Sequence, residues 1–410
     1  MMPILFLIVF IDLVGFGIII PLLPFYGEHY QASPAVVGFL MATYSFTQFL
    51  AAPVWGRLSD RVGRRPVLLI SLAGAAVAYV LLGLAENIWT LFAARAAGGV
   101  MAGNISAAFA YVADITTREN RARGMGVIGA AFGLGFIAGP AIGGLLAGSD
   151  PVHADFRTPA FAAAALSTAA LIVALFVLKE SLPEETRKRL AATPPQKRFD
   201  QLREALKQPN LGLLILLTFL ATFVFAGLES TFAMWSRRQF GWGPEQNGYL
   251  FAYVGLLGAA IQGGLIGRLA RWFGETWLII QGAAALAIGV AMIPFSHTLP
   301  MLLAAMTIAG YGFSVISPSL SSLISLQVGD SEMGGVMGVT RSAATMARFI
   351  GPAWAGVLFG TLGRDWPYFA GALVMAAVVC LAFGARRRLE RPPEAAAASA
   401  DGADGARERP

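Results

Sequence analysis

The feature that most constrains this chain is a regular series of apolar segments. Each is about as long as the roughly 20 residues with which an α-helix crosses the hydrocarbon core of a bilayer. Twelve such segments are present, at residues 4–26, 34–55, 66–86, 88–113, 124–147, 159–178, 210–236, 247–268, 276–295, 300–328, 334–359 and 367–385. Because backbone groups in lipid must bond within their own element, the series predicts an all-α membrane protein with twelve transmembrane helices.

Composition excludes several other classes of protein. Of the 410 residues, 56% are hydrophobic and 13% are charged, roughly half the charged share of a soluble domain. The single cysteine, Cys380, lies in an apolar run and excludes a disulfide framework. The net charge of +6 is spread over short loops rather than one face, so we expect no nucleic-acid partner. Asp12 and two prolines in the first segment, with no basic residues before it, argue against a cleaved signal peptide.

The distribution of Lys and Arg predicts the orientation in the membrane. Alternate loops, together with the C-terminal tail, hold 23 of the 30 basic residues, the other loops hold four, and three lie inside spans. Since cytoplasmic loops retain positive charge, we expect both termini in the cytoplasm and a multi-pass protein of the cytoplasmic (inner) membrane. The ends on the poorly charged side are called the predicted outer ends below.

A polar, charge-mixed stretch divides the chain. We expect an N-terminal six-helix bundle at 1–178, a cytoplasmic linker at 179–209, a C-terminal bundle at 210–385 and a disordered tail at 386–410. Within the linker, Phe199, Leu202 and Leu206 share one helical face, which predicts a short helix on the membrane surface.

The two bundles are related by an internal repeat with an offset of about 210 residues. Gly38 corresponds to Gly248, the stretch at 56–58 to that at 267–269, and Gly139-Pro140 to Gly351-Pro352. Two parallel six-helix repeats are the organisation of transporters that rock one half against the other around a central site.

Four motifs carry a resemblance to a known family. The stretch GRLSDRVGRRPVLL at 56–69 resembles the loop after the second span in the major facilitator superfamily. DLVGFGIIIPLLP at 12–24, RAAGGVMAG from Arg95 and GFIAGPAIGG at 135–144 resemble motifs of its twelve-span drug:proton antiporters, most of all the tetracycline-resistance-like branch. The resemblance implies the fold of that superfamily. It departs from the tetracycline exporters in lacking acidic residues in spans three and nine, which argues against tetracycline or a metal chelate as substrate.

The function expected from the fold and the motifs is secondary active transport, as a proton-coupled antiporter that exports small amphipathic or cationic molecules. Proton-coupled uptake or symport of a small metabolite is the alternative. The sequence has no phosphate loop, no HExxH motif and no nucleophile arrangement within a span, so we expect no enzymatic activity, no metal site and no cofactor other than the coupling proton. The expected partners are a small-molecule substrate and the lipid bilayer, and the expected unit is a monomer.

Three ionisable side chains inside spans are candidates for proton coupling: Asp12, Arg95 and Glu229. A charge at bilayer depth costs about 2.5 to 3.5 kcal/mol on insertion scales, so its presence indicates a partner or a role. Asp12 and Arg95 are expected to pair, either as a proton-sensitive switch or as a permanent ion pair that sets helix register. Glu229 is expected to act as a proton carrier or as a receptor for a cationic substrate. The alternative is a carboxylate near the outer mouth that is simply wetted, or paired with Arg237 or Arg238.

A second group of residues is expected to act as a conformational latch. The resemblance implies that Asp60 caps the eleventh helix of the opposite half in the outward-facing state, although solvated charges that only enforce topology are the alternative. The predicted latch consists of Asp60, Arg64, Arg57, Gly56, Gly63 and Asp114.

Two further sets complete the candidate sites. Glycines at four-residue spacing in the fifth span permit close helix approach, namely Gly135, Gly139, Gly143 and Gly144, with Pro140 between them. The candidate substrate cavity comprises aromatic residues and two arginines seven apart, namely Tyr44, Phe132, Phe225, Phe232, Trp235, Tyr253, Tyr311, Arg341 and Arg348. The two arginines are expected to bind an anionic group or to pair with acidic residues of the other half.

Overall fold

The architecture is known from a computed structural model that describes residues 2–102, 104–117, 120–192, 208–328 and 333–389. These residues form α-helices joined by short turns, with no β-strand among them. The predicted all-α class is therefore confirmed. The linker face of Phe199, Leu202 and Leu206 lies outside the described residues, as does the chain after residue 389.

Six spans form the N-terminal half. Two of their helices begin at a side-chain cap: Ser33 Oγ accepts from Val36 N at 3.4 Å, and Asn87 Oδ1 accepts from Thr90 N at 3.0 Å. In chain order the spans are Met2–Ile19 with Leu23–His29, Pro34–Val62, Arg64–Gly83, Ile88–Met101 with Asn104–Ile115, Arg121–Ala147 and Arg157–Val177. We number them spans 1 to 6.

Six more spans form the C-terminal half. They are Pro209–Phe240, Pro244–Ala260 continued by Ile266–Phe273, Glu275–Met292, Leu299–Leu326, Met333–Thr361 and Trp366–Leu389, numbered spans 7 to 12. A short helix, Glu184–Ala192, follows span 6. Several helices are longer than their apolar segments, because hydropathy detects only the part that matches lipid; span 2 ends at Val62 rather than residue 55. Span 12 runs past the predicted boundary at residue 385.

Three spans are interrupted for local reasons. Span 1 breaks between Ile19 and Leu23, where Pro21 and Pro24 remove two backbone donors. Span 4 divides after Ala102. Span 8 contains a π-helical turn over Ile261–Leu265 with two consecutive glycines, a type of irregularity often found at functional sites.

Span 11 is the least apolar of the twelve. Eleven of the spans are long and apolar enough to cross a membrane by composition alone, and Met333–Thr361 is the exception. It carries Arg341 and Arg348 together with several hydroxyl side chains. This helix packs against spans 2 and 7, and its Ala347 and Ala355 are fully buried. Because protein rather than lipid covers much of its surface, the polar composition is tolerated.

The two halves meet at two glycine crossings related by the internal repeat. A Cβ on Gly38 of span 2 would lie 3.0 Å from Gly356 Cα of span 11. A Cβ on Gly144 of span 5 would lie 3.1 Å from Gly248 Cα of span 8. Both crossings lie at the predicted outer ends, where bare backbone allows the halves to approach each other closely.

The glycines of span 5 serve two different neighbours. Gly135, Gly139 and Gly143 face span 1 within the same half. A Cβ added at these glycines would meet Leu13, Gly17 and Ile18, respectively. Only Gly144 faces the opposite half. The predicted stripe is therefore a packing surface along most of its length and an inter-half contact at its end.

A valine at Gly144 should separate spans 5 and 8 at the predicted outer ends by roughly 1 to 2 Å, because helix spacing follows the size of the contacting side chains. The measurement is the distance between spin labels on Leu146 and Tyr249, both exposed, in a Cys380→Ser background. The matched control is Gly126→Val on the same span, whose Cβ would meet nothing within 4 Å. An unchanged distance in Gly144→Val would contradict the crossing.

Candidate functional site

A cavity of about 190 Å³ lies between the two halves. Spans 1 to 5 line it from one side, and spans 7 and 11 from the other. It brings together six of the residues singled out from the sequence, Asp12, Tyr44, Arg95, Phe132, Glu229 and Arg348. Four of the six are ionisable in the physiological range or permanently charged, so the cavity is the place where coupling and binding chemistry can meet.

Arg95 is the most deeply buried charge of the cavity, with an exposed fraction of 5%. Its guanidinium carbon lies 4.6 Å from the centre of the Tyr44 ring, a cation–π contact. Span 2 can approach this closely because span 4 has glycines beside Arg95; a Cβ on Gly98 would lie 3.5 Å from the Tyr44 ring. Among the described residues Arg95 forms no hydrogen bond or ion pair, and its Nε is buried without a partner.

Asp12 lines the same cavity from span 1 and is half-buried. The structure therefore places Asp12 and Arg95 at one site, as the motifs imply. It does not hold them in the expected ion pair, since the guanidinium of Arg95 lies over Tyr44 instead. An arginine that stacks on an aromatic face needs no carboxylate partner to keep its orientation.

Glu229 lies on span 7, where its carboxylate Oε2 is 3.7 Å from Nη1 of Arg348 on span 11. The side chains of this pair are 13% and 37% exposed. The sequence left Arg237 and Arg238 open as partners of Glu229. Both pair with Glu28 instead, so Arg348 is the neighbour that balances this buried carboxylate.

Several candidate cavity residues lie elsewhere. Arg341 covers the Phe109 ring at 4.1 Å, and Tyr253 shares a 2.7 Å hydrogen bond with Thr307. Tyr311 does not line this cavity either. Phe225 stacks on Phe313, with 3.9 Å between the ring centres. Phe232 and Trp235 are fully buried in the core of the C-terminal half. With 28 Phe in the chain, most aromatic side chains serve in helix packing rather than in the cavity wall.

The cavity also contains residues that sequence reasoning missed. They are Phe16, Gln48, Tyr79 and Phe136. Three of them lie four positions after a predicted residue that also lines the cavity: Phe16 after Asp12, Gln48 after Tyr44 and Phe136 after Phe132. Each therefore shares the helix face of that residue. Extending each candidate by one helical turn would have found them.

At the predicted outer end, the halves are joined by charge as well as by the glycine crossings. Glu28 of the N-terminal half accepts from Arg237 at 2.9 Å and contacts Arg238 at 3.0 Å. Glu245 N also donates to Gly148 O at 3.2 Å across the two halves. The two pairs of Glu28, with Arg237 and with Arg238, are the only ion pairs between the halves among the residues that the structure describes.

Comparison with known proteins agrees with this architecture. The family model of the Major Facilitator Superfamily matches residues 5–352 and 264–408. The tetracycline resistance protein class C of Escherichia coli is 33% identical over 382 residues, with 92% of this chain and 94% of that protein covered. The chain belongs to the Major Facilitator Superfamily.

Two further relatives differ in their named cargo. Multidrug resistance protein 2 of Bacillus subtilis is 30% identical over 372 residues, and the match covers 90% of each chain. The crystal structure of the human organic anion transporter MFSD10 (TETRAN) superposes with a TM-score of 0.70 at 27% identity, covering 93% of this chain and 98% of that one. Family and fold identify this protein as a membrane transporter.

The predicted cytoplasmic end of this superfamily member is organised around Arg64. Its guanidinium bonds to Asp60 at 2.6 Å, to Asp114 at 3.1 Å and to Ser59 at 2.9 Å. Asp60 therefore pairs within its own half, and among the described residues it makes no contact with span 11. Its carboxylate is 43% exposed. Arg57, the remaining charged member of the predicted latch, donates to Pro53 O of its own helix at 3.2 Å.

Glu180 is a site residue that the sequence did not reveal. Its two carboxylate oxygens accept from the backbone N–H groups of Arg64 at 2.8 Å and Arg65 at 3.0 Å, which caps the N-terminus of span 3. Gly63 makes this possible, because its φ of 105° disfavours other residues and a Cβ there would collide with the Glu180 carboxylate.

The two halves are in contact at the predicted outer ends. The glycine crossings join them there, and the described residues show no contact between Asp60 and span 11. With the orientation predicted from the loop charges, a structure closed at this end is expected to be inward-facing.

Glu180→Ala should lower the midpoint of thermal unfolding by a few degrees in detergent, because losing a helix cap costs about 1 kcal/mol. The matched control is Glu184→Ala, whose exposed pair with Lys188 at 2.9 Å should contribute little. Equal midpoints for the two variants would contradict the capping role.

Glu28→Gln should increase access to the cavity from the predicted outer side about tenfold, since charge-assisted hydrogen bonds contribute about 1.5 to 3 kcal/mol to the closed state. The measurement is the rate at which an impermeant maleimide labels Gln48→Cys in a Cys380→Ser background. Arg364→Gln is the control, because Arg364 makes its ion pair, with Asp365 at 3.8 Å, within its own half. Equal labelling rates would show that Glu28 does not hold the outer ends together.

Proposed function

We propose that this transporter is a proton-coupled antiporter that exports small amphipathic or cationic molecules by alternating access. The observation that carries the proposal is the cavity between the halves, to which each half contributes one carboxylate, Asp12 and Glu229. The names of the tetracycline and multidrug resistance relatives support export. Further parts of the proposal are a monomer in the inner membrane with both termini in the cytoplasm and no cofactor other than protons.

Antiport requires that proton and cargo exclude each other. A carboxylate that lines a cavity away from bulk water can be neutralised by a proton or by a cationic group of the cargo, and the first to bind weakens the second. Asp12 and Glu229 are both placed for such competition. A proton on Glu229 would also remove the charge that balances Arg348, 3.7 Å away, and so would link protonation to the contact between spans 7 and 11.

Alternating access follows from the contacts at the two ends. The outward-facing state requires the glycine crossings and the Glu28 pairs to separate at the predicted outer end. The predicted cytoplasmic ends then close, and Asp60 exchanges its exposed position beside Arg64 for the N-terminal end of span 11, where a carboxylate is favoured by the helix dipole. The proposed latch thus belongs to the outward-facing state.

Two findings favour a second function. Arg95 offers the cavity a buried positive charge without a carboxylate partner in the described residues, and the human relative MFSD10 is an organic anion transporter. Both favour proton-coupled symport of a small organic acid. In that case a proton on Asp12 would promote cargo binding instead of opposing it, because it removes a like charge from the cavity.

The two functions are separated by inverted vesicles from an efflux-deficient bacterium, acidified inside by respiration. A cargo of an antiporter should release protons when added, whereas a cargo of a symporter should not. Asp12→Asn and Glu229→Gln should each reduce proton release at least about tenfold, since each removes a titrating group. Asp150→Asn, an exposed loop carboxylate bonded to His153, should leave it unchanged. Full proton release in both cavity variants would refute the coupling assignment.

A further inference from the structure

We infer that Arg95 is the binding site for an acidic group of the cargo, and that the cavity accepts compact aromatic carboxylates by pairing their carboxylate with this guanidinium. The inference rests on the proposed function in one respect, that the cavity between the halves is where cargo binds. It assigns a substrate class and an anchoring residue to that site.

The burial of Arg95 is the first part of the argument. Removing a guanidinium from water is costly unless hydrogen bonds or an opposite charge replace the solvent. Arg95 is 5% exposed, and within the described part of the chain it receives neither a hydrogen bond nor an opposite charge. The guanidinium instead lies over the ring of Tyr44. Its Nε donor is buried and unsatisfied. Because Arg95 lines the cavity, a bound anion would supply the opposite charge that the guanidinium lacks.

The other arginines inside spans provide a contrast. Arg348 lines the cavity but has Glu229 at 3.7 Å. Arg341 lies over Phe109 and does not line the cavity. Among the three, Arg95 alone combines a place in the cavity wall with the lack of a carboxylate neighbour within ion-pair distance.

The surroundings of Arg95 define the shape of the cargo. The guanidinium carbon lies over the Tyr44 ring. We expect the terminal nitrogens that point away from the ring to offer a carboxylate a two-point contact. Beside it, Phe16 lies 5.0 Å from Tyr44 and 6.2 Å from Phe136, measured between ring centres. These rings form an apolar wall against which an aromatic body can pack edge-to-face. An acid with a ring directly attached therefore fits both features.

The test uses three probes that share one ring system and differ in charge: 1-naphthoate, 1-naphthamide and 1-naphthylmethylammonium. Their dissociation constants are measured by calorimetry on the full-length transporter in detergent. Wild type should bind the naphthoate about 10- to 100-fold more tightly than the naphthamide, the range expected for a charge-assisted pair. Equal affinities for the acid and the amide would overturn the inference, whatever the variants do.

Variants then assign the preference to a residue. Arg95→Met should abolish the preference for the acid, and Arg95→Lys should retain part of it, since lysine keeps the charge and loses the planar fork. Arg341→Met is the matched control: it removes an arginine from an aromatic ring outside the cavity and should leave the preference intact. A preference that survives in Arg95→Met would overturn the assignment. If Arg95→Met does not fold, an undiminished preference for the acid in Arg95→Lys would overturn the assignment instead.

The outcome is independent of the antiport proposal. If wild type shows no preference for the naphthoate over the naphthamide, but drugs drive proton release in vesicles, the Arg95 site is refuted and the antiport proposal stands. An Arg95-dependent acid preference without proton release by any cationic drug would support the site and refute drug antiport.

Discussion

The structure depends above all on how two helical halves can hold together without a hydrophobic driving force between them. Lipid tails are as apolar as leucine, so helices in a bilayer associate through close packing and polar contacts. Here that packing is concentrated at two crossings of bare backbone, Gly38 on Gly356 and Gly144 on Gly248. Small contacts of this kind can form and separate without exposing a large apolar surface, which suits a pair of halves that must rock.

The two glycine crossings are related by the internal repeat, whereas the charged residues of the cavity are not. Each crossing joins a glycine near the start of one span to a glycine near the end of another, and the repeat exchanges one crossing for the other. The cavity between them receives Asp12 and Arg95 from one half and the Glu229–Arg348 pair from the other. The two charged pairs differ in geometry, since the second is an ion pair and the first is not. In the function that we propose, the symmetric packing would permit the motion and the asymmetric charges would give the selectivity.

The predicted cytoplasmic end carries Asp60, the residue that we propose to have different partners in two states. Arg64 holds Asp60 and Asp114 on the N-terminal half, while Glu180 fixes the start of span 3. Asp60 stays partly exposed in this arrangement. An ion pair with a partly exposed carboxylate contributes little free energy. In the proposed closure of this end, Asp60 could therefore exchange Arg64 for span 11 at a small cost in free energy.

Much of this protein follows from its sequence alone. Twelve apolar segments, the loop charges and the repeat were sufficient for the helical fold, because each depends on local composition and on the thickness of a bilayer. Asp12, Arg95, Glu229 and Arg348 were also found from the sequence, since a charge at membrane depth is conspicuous wherever it lies.

Only the tertiary structure decided which of these residues meet. It placed Arg95 over Tyr44 instead of beside Asp12, paired Glu229 with Arg348, and sent Arg237 and Arg238 to Glu28. It also showed the Glu180 cap, which joins residues more than a hundred positions apart. The physical reason is that pairing depends on the rotation and spacing of neighbouring helices, which are set by packing at Gly98, Gly144 and Gly248 rather than by any local pattern in the chain.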